Sequence, residues 1–460
     1  MTFLKNTLYI LASNFLVIGM SFFLRPLTAR FLGPAEYGLF ALILSTSTII
    51  PALTLFSLNS GVFYYTAKEN RKDKKFVSTA LAFVFIASLV FFLPLDYAAA
   101  AFVPALGQSG FLAALALSIA LSAFTILQAV QQGLEKFRAF SLYSVASALF
   151  AGAAAVAVAF HSGNGMLASF GRAAAVFAIA FIGLASLKCI GKPDRRELGR
   201  LLHYSAPLAL AGFLGAFIVV TDRYLIAAYR SVAEVGYYDI SYSMIAAVLP
   251  VSTALLTTMM PKLIKSDSKL AFYYSKISQA NAILLSAAGL VFFYYSDIIV
   301  TMLLGPNFRE AVLPFKILSL ALPLMTLYGL NVAAAAAVGR TKVSGLLTSA
   351  LTVFSLGFNF LLVPAFGAVG ASWANFFTYV FTCGVGFYYL KTRYGAGISQ
   401  VLPQYALFSL FILIYMAFLQ ANGFILKTAA LCVFAISTYA LNRPIAHEFL
   451  QHVKSSLVRK

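Results

Sequence analysis

Residues 25–38 read RPLTARFLGPAEYG, and residues 223–236 read RYLIAAYRSVAEVG. One offset of 198 positions, from 25 to 223, aligns the opening arginines, the Ala-Glu pairs and the closing glycines. Further along, Ala168-Ser169 aligns with Ala371-Ser372, and Leu187-Lys188 with Leu390-Lys391, at an offset of 203. One loop insertion accounts for the difference of five. These matches lie at corresponding ends of corresponding apolar stretches, so they favour an internal duplication over an unrepeated bundle.

The composition of this duplicated chain is typical of a membrane protein. Of its 460 residues, 61% are hydrophobic and only 10% are charged. The apolar residues form blocks long enough for a helix to cross about 30 Å of hydrocarbon. The blocks predict an all-α membrane protein of about fourteen transmembrane helices, with spans near residues 7–31, 38–63, 76–100, 111–131, 140–160, 165–187, 204–228, 236–260, 277–303, 312–338, 343–364, 368–390, 402–420 and 423–441.

The duplication divides these spans into two lobes of six helices each. We predict an N-lobe at residues 1–190 (spans 1–6), a cytoplasmic linker at 191–202, a C-lobe at 203–393 (spans 7–12), and spans 13 and 14 with a cytoplasmic tail at 394–460. Because six is even, both lobes enter the membrane in the same orientation. Transporters with such parallel repeats bind their cargo between lobes that rock to alternate access.

The net charge of +19 reflects membrane topology more than cargo or nucleic acid. Of the 33 Lys and Arg residues, 25 fall in the termini and the even-numbered connections between spans. The positive-inside rule therefore places both termini in the cytoplasm, in a multi-pass protein of the inner or plasma membrane. No nucleic-acid partner is expected.

A few cations remain inside the predicted spans, where a charge is costly and marks a candidate site. Arg25 and Arg172 should lie roughly 10 Å from the outer ends of their helices, and Arg223 slightly closer to the end. Arg30 lies nearer the outer interface, where snorkelling competes with binding. Arginine binds phosphate through two donors and keeps its charge when buried. These four residues are the predicted anion-binding residues, against the alternative that they form buried ion pairs.

Other residues in the spans suggest roles in coupling and movement. Asp222 and Asp239 are candidates for H⁺ or Na⁺ coupling, or structural partners of an arginine. Neighbours on a helix point about 100° apart, so Asp222 and Arg223 need not pair. Pro26 removes a backbone donor and is a candidate hinge. The three cysteines and four histidines lack metal-ligand spacing, and no nucleophile–base pair stands out. We therefore expect no metal, no cofactor and no enzymatic activity.

Several motifs resemble those of a known family. They are Leu32-Gly33-Pro34-Ala35-Glu36-Tyr37-Gly38-Leu39-Phe40, Thr221-Asp222-Arg223, Val235-Gly236-Tyr237-Tyr238, the segment from Leu304-Gly305-Pro306 to Lys316, and Asn359 to Ser372 (NFLLVPAFGAVGAS). Together they resemble the polysaccharide-transport branch, the Wzx-like O-antigen and oligosaccharide flippases, of the MOP exporter superfamily.

The resemblance implies a flippase for cell-surface polysaccharide biosynthesis. Its cargo would be a polyprenyl-pyrophosphate-linked glycan, moved from the cytoplasmic to the outer leaflet by alternating access, with the lobe arginines attracting the pyrophosphate. Membrane lipids, and the polysaccharide polymerase machinery as an open expectation, would be its other partners. A lipid II flippase and a MATE-type multidrug or cation antiporter remain alternatives, although cationic drugs would require intramembrane acids rather than arginines.

Overall fold

A computed structural model of the chain describes residues 2–69, 74–189, 191–250, 252, 270–337, 341–394, 401–419 and 424–443. All regular secondary structure in these ranges is helical. The helices are α1 (Thr2–Thr54), α2 (Leu58–Glu69), α3 (Lys74–Val90), α4 (Phe92–Phe102), α5 (Gly107–Gly133), α6 (Phe137–Ser162), α7 (Gly165–Ser186), α8 (Arg195–Tyr229), α9 (Val232–Ala246), α10 (Leu270–Leu304), α11 (Val312–Ala337), α12 (Thr341–Tyr394), α13 (Leu402–Ile414) and α14 (Phe424–Leu441), with 3₁₀ turns at Pro104–Leu106 and Pro306–Ala311 and a π-helical turn at Tyr415–Leu419.

The predicted all-α membrane architecture is confirmed. Within the described ranges, nine helical stretches are long and apolar enough to cross a membrane. A helix suits this setting because it satisfies its own backbone groups where water is absent. Each of the fourteen predicted spans falls on described helix, and the second half of the eighth, beyond residue 250, lies almost wholly outside the described residues.

Two of the longest helices are interrupted at a glycine. The backbone leaves helical values at Gly33 in α1 (φ 74°, ψ 171°) and at Gly367 in α12 (φ 58°, ψ −130°). Positive φ is readily available only to glycine, so these residues end one helix and allow the next to begin. Both interruptions fall between spans that the hydropathy pattern separates. Pro26 lies inside α1, which stays helical there, and its hinge role stays a prediction.

The chain forms two compact units. The first comprises Met1–Ala247, Thr301–Ala311 and Asn359–Ala371, and the second comprises the remaining segments. A core of aliphatic side chains from α2, α3, α5 and α8 stabilises the first unit. In the second, an aromatic core surrounds Tyr294 and Tyr415. The lobe boundaries predicted from the duplication describe repeats rather than packing units, and they stay a prediction.

Two glutamates cap helices in a way that follows the duplication. The Glu36 carboxylate accepts a hydrogen bond from the backbone N–H of Gly165 at 2.7 Å, where α7 begins. Glu234 accepts one from the N–H of Ala368 at 3.0 Å, directly after the break at Gly367. The two acceptors are 198 residues apart and the two donors 203, the same offsets that align the repeats. The aligned glutamates of the two repeats therefore make equivalent contacts, which supports the duplication suggested by the sequence.

Removing either cap should destabilise the first unit. Glu36→Ala and Glu234→Ala each leave the N–H of a buried residue at a helix start without its acceptor and lose a favourable charge there, so we expect each to cost about 1 kcal/mol of unfolding free energy. Thermal unfolding of the purified protein in detergent measures this loss. Glu310→Ala, at an exposed position in the same unit, is the control. Unfolding midpoints equal to that of the control would show that the caps contribute nothing.

At the opposite, predicted cytoplasmic end, the start of α8 is anchored to the last residue of α2 and the first turn of α3. Arg200 pairs with Glu69 at 2.7 Å, and Lys75 pairs with Asp194 at 3.1 Å. Asp194 also caps α8 by accepting from the N–H of Arg196. This backbone hydrogen bond, followed by the one from Lys75, holds the pKa of Asp194 below its usual value. The segment that joins the predicted lobes is therefore fixed to the first of them.

Candidate functional site

A cavity of about 470 Å³ lies inside the first unit, among α1, α5, α6, α7 and α9. Small residues make room for it, since Ala148, Ala151 and Gly152 of α6 form part of the wall. Hydroxyl and amide side chains contribute much of the remaining surface, namely Asn14, Ser21, Gln128, Ser144, Ser147 and Ser243. These groups offer both donors and acceptors of hydrogen bonds, as a polyhydroxylated ligand requires.

Two of the predicted anion-binding arginines, Arg25 and Arg172, line this cavity. Arg25 extends from α1, and one of its terminal nitrogens donates to the hydroxyl of Ser243 on α9. Arg172 extends from α7, and the described part of the chain provides it with no hydrogen-bond or ion-pair partner. The two positive charges line the same cavity, so they repel each other. An anion held between the guanidinium groups would remove this repulsion.

The charge of the cavity is not balanced from within. No Asp or Glu is among its described lining residues, whereas two arginines are. A cation within a membrane-spanning helix is costly when no countercharge lies beside it, and such residues often mark functional sites. The cavity is thus suited to an anion with hydroxyl groups and unsuited to a cation.

Arg223 has a different environment. Its Nε lies 2.8 Å from Asp239 and one terminal nitrogen lies 3.0 Å from Asp222, with all three side chains almost completely buried. Tyr37 donates to the second oxygen of Asp239 at 3.1 Å, and Tyr238 donates to the second oxygen of Asp222. The adjacent residues of α8 pair despite pointing about 100° apart, because the long arginine side chain folds back toward its neighbour. Both carboxylates are therefore occupied by Arg223 and a tyrosine.

The remaining predicted residues lie near the cavity in sequence but do not line it. Arg30 is exposed, one turn beyond Pro26, which is buried. Arg223 is absent from the cavity wall. The binding roles of Arg30 and Arg223, and the coupling roles of Asp222 and Asp239, stay predictions.

Several polar residues of the cavity wall were not predicted from the sequence. Ser243 was not singled out, and neither were Gln128 of α5 and Ser144 of α6, whose side chains are hydrogen-bonded at 3.1 Å. An amide within an apolar span, such as Gln128, is a detectable signal. The serines are not, since a serine that bonds its own helix backbone is common in membrane helices.

The backbones of α1 and α9 pack closely at two glycines. Gly38 lies in the part of α1 that follows the break at Gly33, and Gly236 lies in the first turns of α9. A methyl group added at Gly38 would lie 1.8 Å from the carbonyl oxygen of Val232, and one added at Gly236 would lie 2.3 Å from that of Pro34. The two glycines are equivalent under the 198-residue offset, so the contact is reciprocal. It positions α9, which contributes Ser243 to the cavity about two turns further along.

The described residues contain no group of His, Cys, Asp or Glu side chains that could hold a metal ion. Arginine, hydroxyl and amide groups thus account for the chemistry of the cavity. They can bind and orient an anion.

Comparisons with known proteins agree with this fold. Residues 3–266 match the family described as polysaccharide biosynthesis protein. An uncharacterised membrane protein of Methanocaldococcus jannaschii is 26% identical over 197 residues, which span 40% of this chain and only 38% of that relative. The chain is similar to a solved structure of the lipid II flippase MurJ in an inward closed conformation, with a TM-score of 0.76 at 12% identity. The similarity covers 96% of this chain and 100% of the MurJ chain.

The chain is also similar to a second solved structure, with a TM-score of 0.57 at 16% identity. That structure is an inward-facing multidrug resistance transporter of the MATE family in the MOP superfamily. The similarity covers 85% of this chain and 95% of the transporter's chain. At these identities the likeness to both structures concerns the fold.

Proposed function

Since the chain belongs to the polysaccharide biosynthesis protein family, we propose that it translocates a polyprenyl-pyrophosphate-linked oligosaccharide across the membrane. One observation carries this proposal. The cavity of the first unit presents Arg25 and Arg172 without any described acidic residue in its wall.

The chemistry of the cavity matches the parts of such a cargo. Guanidinium groups bind the oxygens of a pyrophosphate through charge-assisted hydrogen bonds. The serine, asparagine and glutamine side chains suit the hydroxyls of a sugar, while the lipid tail stays in the bilayer. Translocation by alternating access requires no covalent step, so the residues need only bind and release the cargo.

The alternatives differ in how they fit these charges. A cationic drug, the cargo of a MATE-type antiporter, would be repelled by Arg25 and Arg172. Lipid II also carries a pyrophosphate, so the arginines by themselves do not separate it from other lipid-linked glycans. Coupling to H⁺ or Na⁺ through Asp222 and Asp239 would require Arg223 to release one of them during the cycle. Contact with polysaccharide polymerase machinery remains part of the proposal.

The proposal is tested by measuring flipping of a fluorescent polyprenyl-pyrophosphate oligosaccharide in proteoliposomes that contain equal amounts of folded protein. Each of Arg25→Gln and Arg172→Gln should lower the rate by about 10- to 100-fold, the effect of losing one charge-assisted contact. The double variant should fall to the rate of empty vesicles. Arg309→Gln, which changes an exposed arginine outside the cavity wall, should keep the wild-type rate.

Two outcomes would contradict the proposal. Flipping at the wild-type rate by the double variant would show that the cavity arginines do not bind cargo. Faster flipping of fluorescent lipid II than of any other lipid-linked oligosaccharide would instead favour the lipid II alternative, with the same arginine dependence.

A further inference from the structure

A second cluster of positive charge lies in the second unit, far in sequence from the cavity. The ammonium groups of Lys316 and Lys427 lie 5.9 and 5.3 Å from the centre of the same aromatic ring, that of Tyr415. Lys316 pairs with Asp297 at 3.0 Å. The cluster thus contains two cations and one anion around one buried ring, and it keeps a net charge of +1.

Four helix ends bring these residues together. Asp297 lies about 10 Å before the end of α10, Lys316 about 6 Å after the start of α11, and Lys427 about 5 Å after the start of α14. Tyr415 opens the π-helical turn that follows α13. Such turns are rare and occur often at functional sites. The ends of membrane-spanning helices lie near the lipid headgroups, so groups about 5–10 Å along a helix from its end are expected where headgroups meet the hydrocarbon.

The surface beside this cluster is strongly apolar. Phe418 and Ile425, which lie within three residues of Tyr415 and Lys427 in sequence, are 72% and 82% exposed. A soluble anion would gain nothing from these side chains, whereas acyl chains would cover them. The combination of excess positive charge at headgroup depth with an exposed apolar surface fits one kind of ligand.

We propose that Lys316 and Lys427 bind the phosphate of an anionic membrane phospholipid above the ring of Tyr415, with its acyl chains against α13 and α14. The phosphate neutralises the excess charge, and it joins α14 to α11 through the two ammonium groups. Asp297 competes with the phosphate for Lys316, so it limits the affinity. This site is separate from the arginine cavity and does not depend on its cargo.

Native mass spectrometry of the full-length protein tests the proposal by comparing phosphatidylglycerol with phosphatidylcholine of the same acyl chains. The wild type should prefer phosphatidylglycerol. Lys316→Gln and Lys427→Gln should each lower its affinity for phosphatidylglycerol about fivefold, and Asp297→Asn should raise it by a similar factor. A mere packing role for these residues would not produce that increase. Lys427→Arg should keep the affinity.

Lys276→Gln is the matched control, because Lys276 also lies over an aromatic ring, at 4.6 Å from the centre of Phe272, near the other end of α10. Its affinity for phosphatidylglycerol should equal that of the wild type. Equal binding of the two lipids by the wild type, or wild-type affinity in both glutamine variants, would overturn the proposal. So would full displacement of phosphatidylglycerol by millimolar inorganic phosphate, which would indicate a site for free phosphate.

Discussion

Gly38→Ala and Gly236→Ala are each expected to force α1 and α9 apart and to cost at least about 1–3 kcal/mol of unfolding free energy. The added methyl groups would lie 1.8 and 2.3 Å from the backbone oxygens of Val232 and Pro34. Backbone atoms at a helix start cannot rotate away as a side chain can, so the helices themselves must move. Because α9 also carries Ser243, the partner of Arg25, the cavity should be distorted and flipping should be lost.

Thermal unfolding in detergent and the flipping assay measure these two effects together. Gly19→Ala is the control, since a methyl group added at this position of α1 would meet no atom within 4 Å. It should unfold at or slightly above the wild-type midpoint, as replacing glycine by alanine within a helix usually stabilises it. If Gly38→Ala and Gly236→Ala behaved like Gly19→Ala, the tight contact between α1 and α9 would be wrong.

Arg223→Ala is expected to have a still larger effect on stability. It would leave the carboxylates of Asp222 and Asp239 buried without a countercharge, a loss of about 3–5 kcal/mol when one partner of a buried ion pair is removed. The triple variant Arg223→Ala with Asp222→Asn and Asp239→Asn removes all three charges and should regain most of that loss. Thermal unfolding midpoints in detergent compare the two variants, with Arg309→Ala as the exposed control.

Thermal unfolding and the flipping assay together decide between two roles for Arg223. If Arg223→Ala unfolded at the wild-type temperature but no longer flipped the labelled lipid, Arg223 would act on the cargo, as the sequence predicts. If stability falls and the triple variant restores both stability and flipping, the residue has a structural role.

The arginines illustrate how far sequence reasoning reaches. Hydropathy and helical rise place Arg25, Arg172 and Arg223 at similar depths, and the structure agrees that all three lie within helices. Depth, however, is a coordinate along the helix, whereas binding depends on the direction in which the side chain points. That direction brings Arg25 and Arg172 to one cavity and Arg223 to a pair of carboxylates.

The glutamates illustrate the reverse case. Glu36 and Glu234 align in the two repeats, but the sequence does not predict that they cap helices. A capping contact joins residues more than a hundred positions apart, so no local pattern indicates it. Knowledge of the repeat would have suggested that both glutamates share one role, although not which backbone group each would meet.

By itself, the sequence determined that this protein is an all-helical membrane protein, predicted a duplicated core, and indicated which charges lie within the spans. Those properties follow from hydrophobicity and periodicity, which act along the chain. Only the tertiary structure decided which arginines share a cavity, which one is neutralised, and where glycines allow backbones to meet. Those outcomes depend on helix rotation and on contacts between distant segments, and the free energy of such contacts arises only when the helices pack.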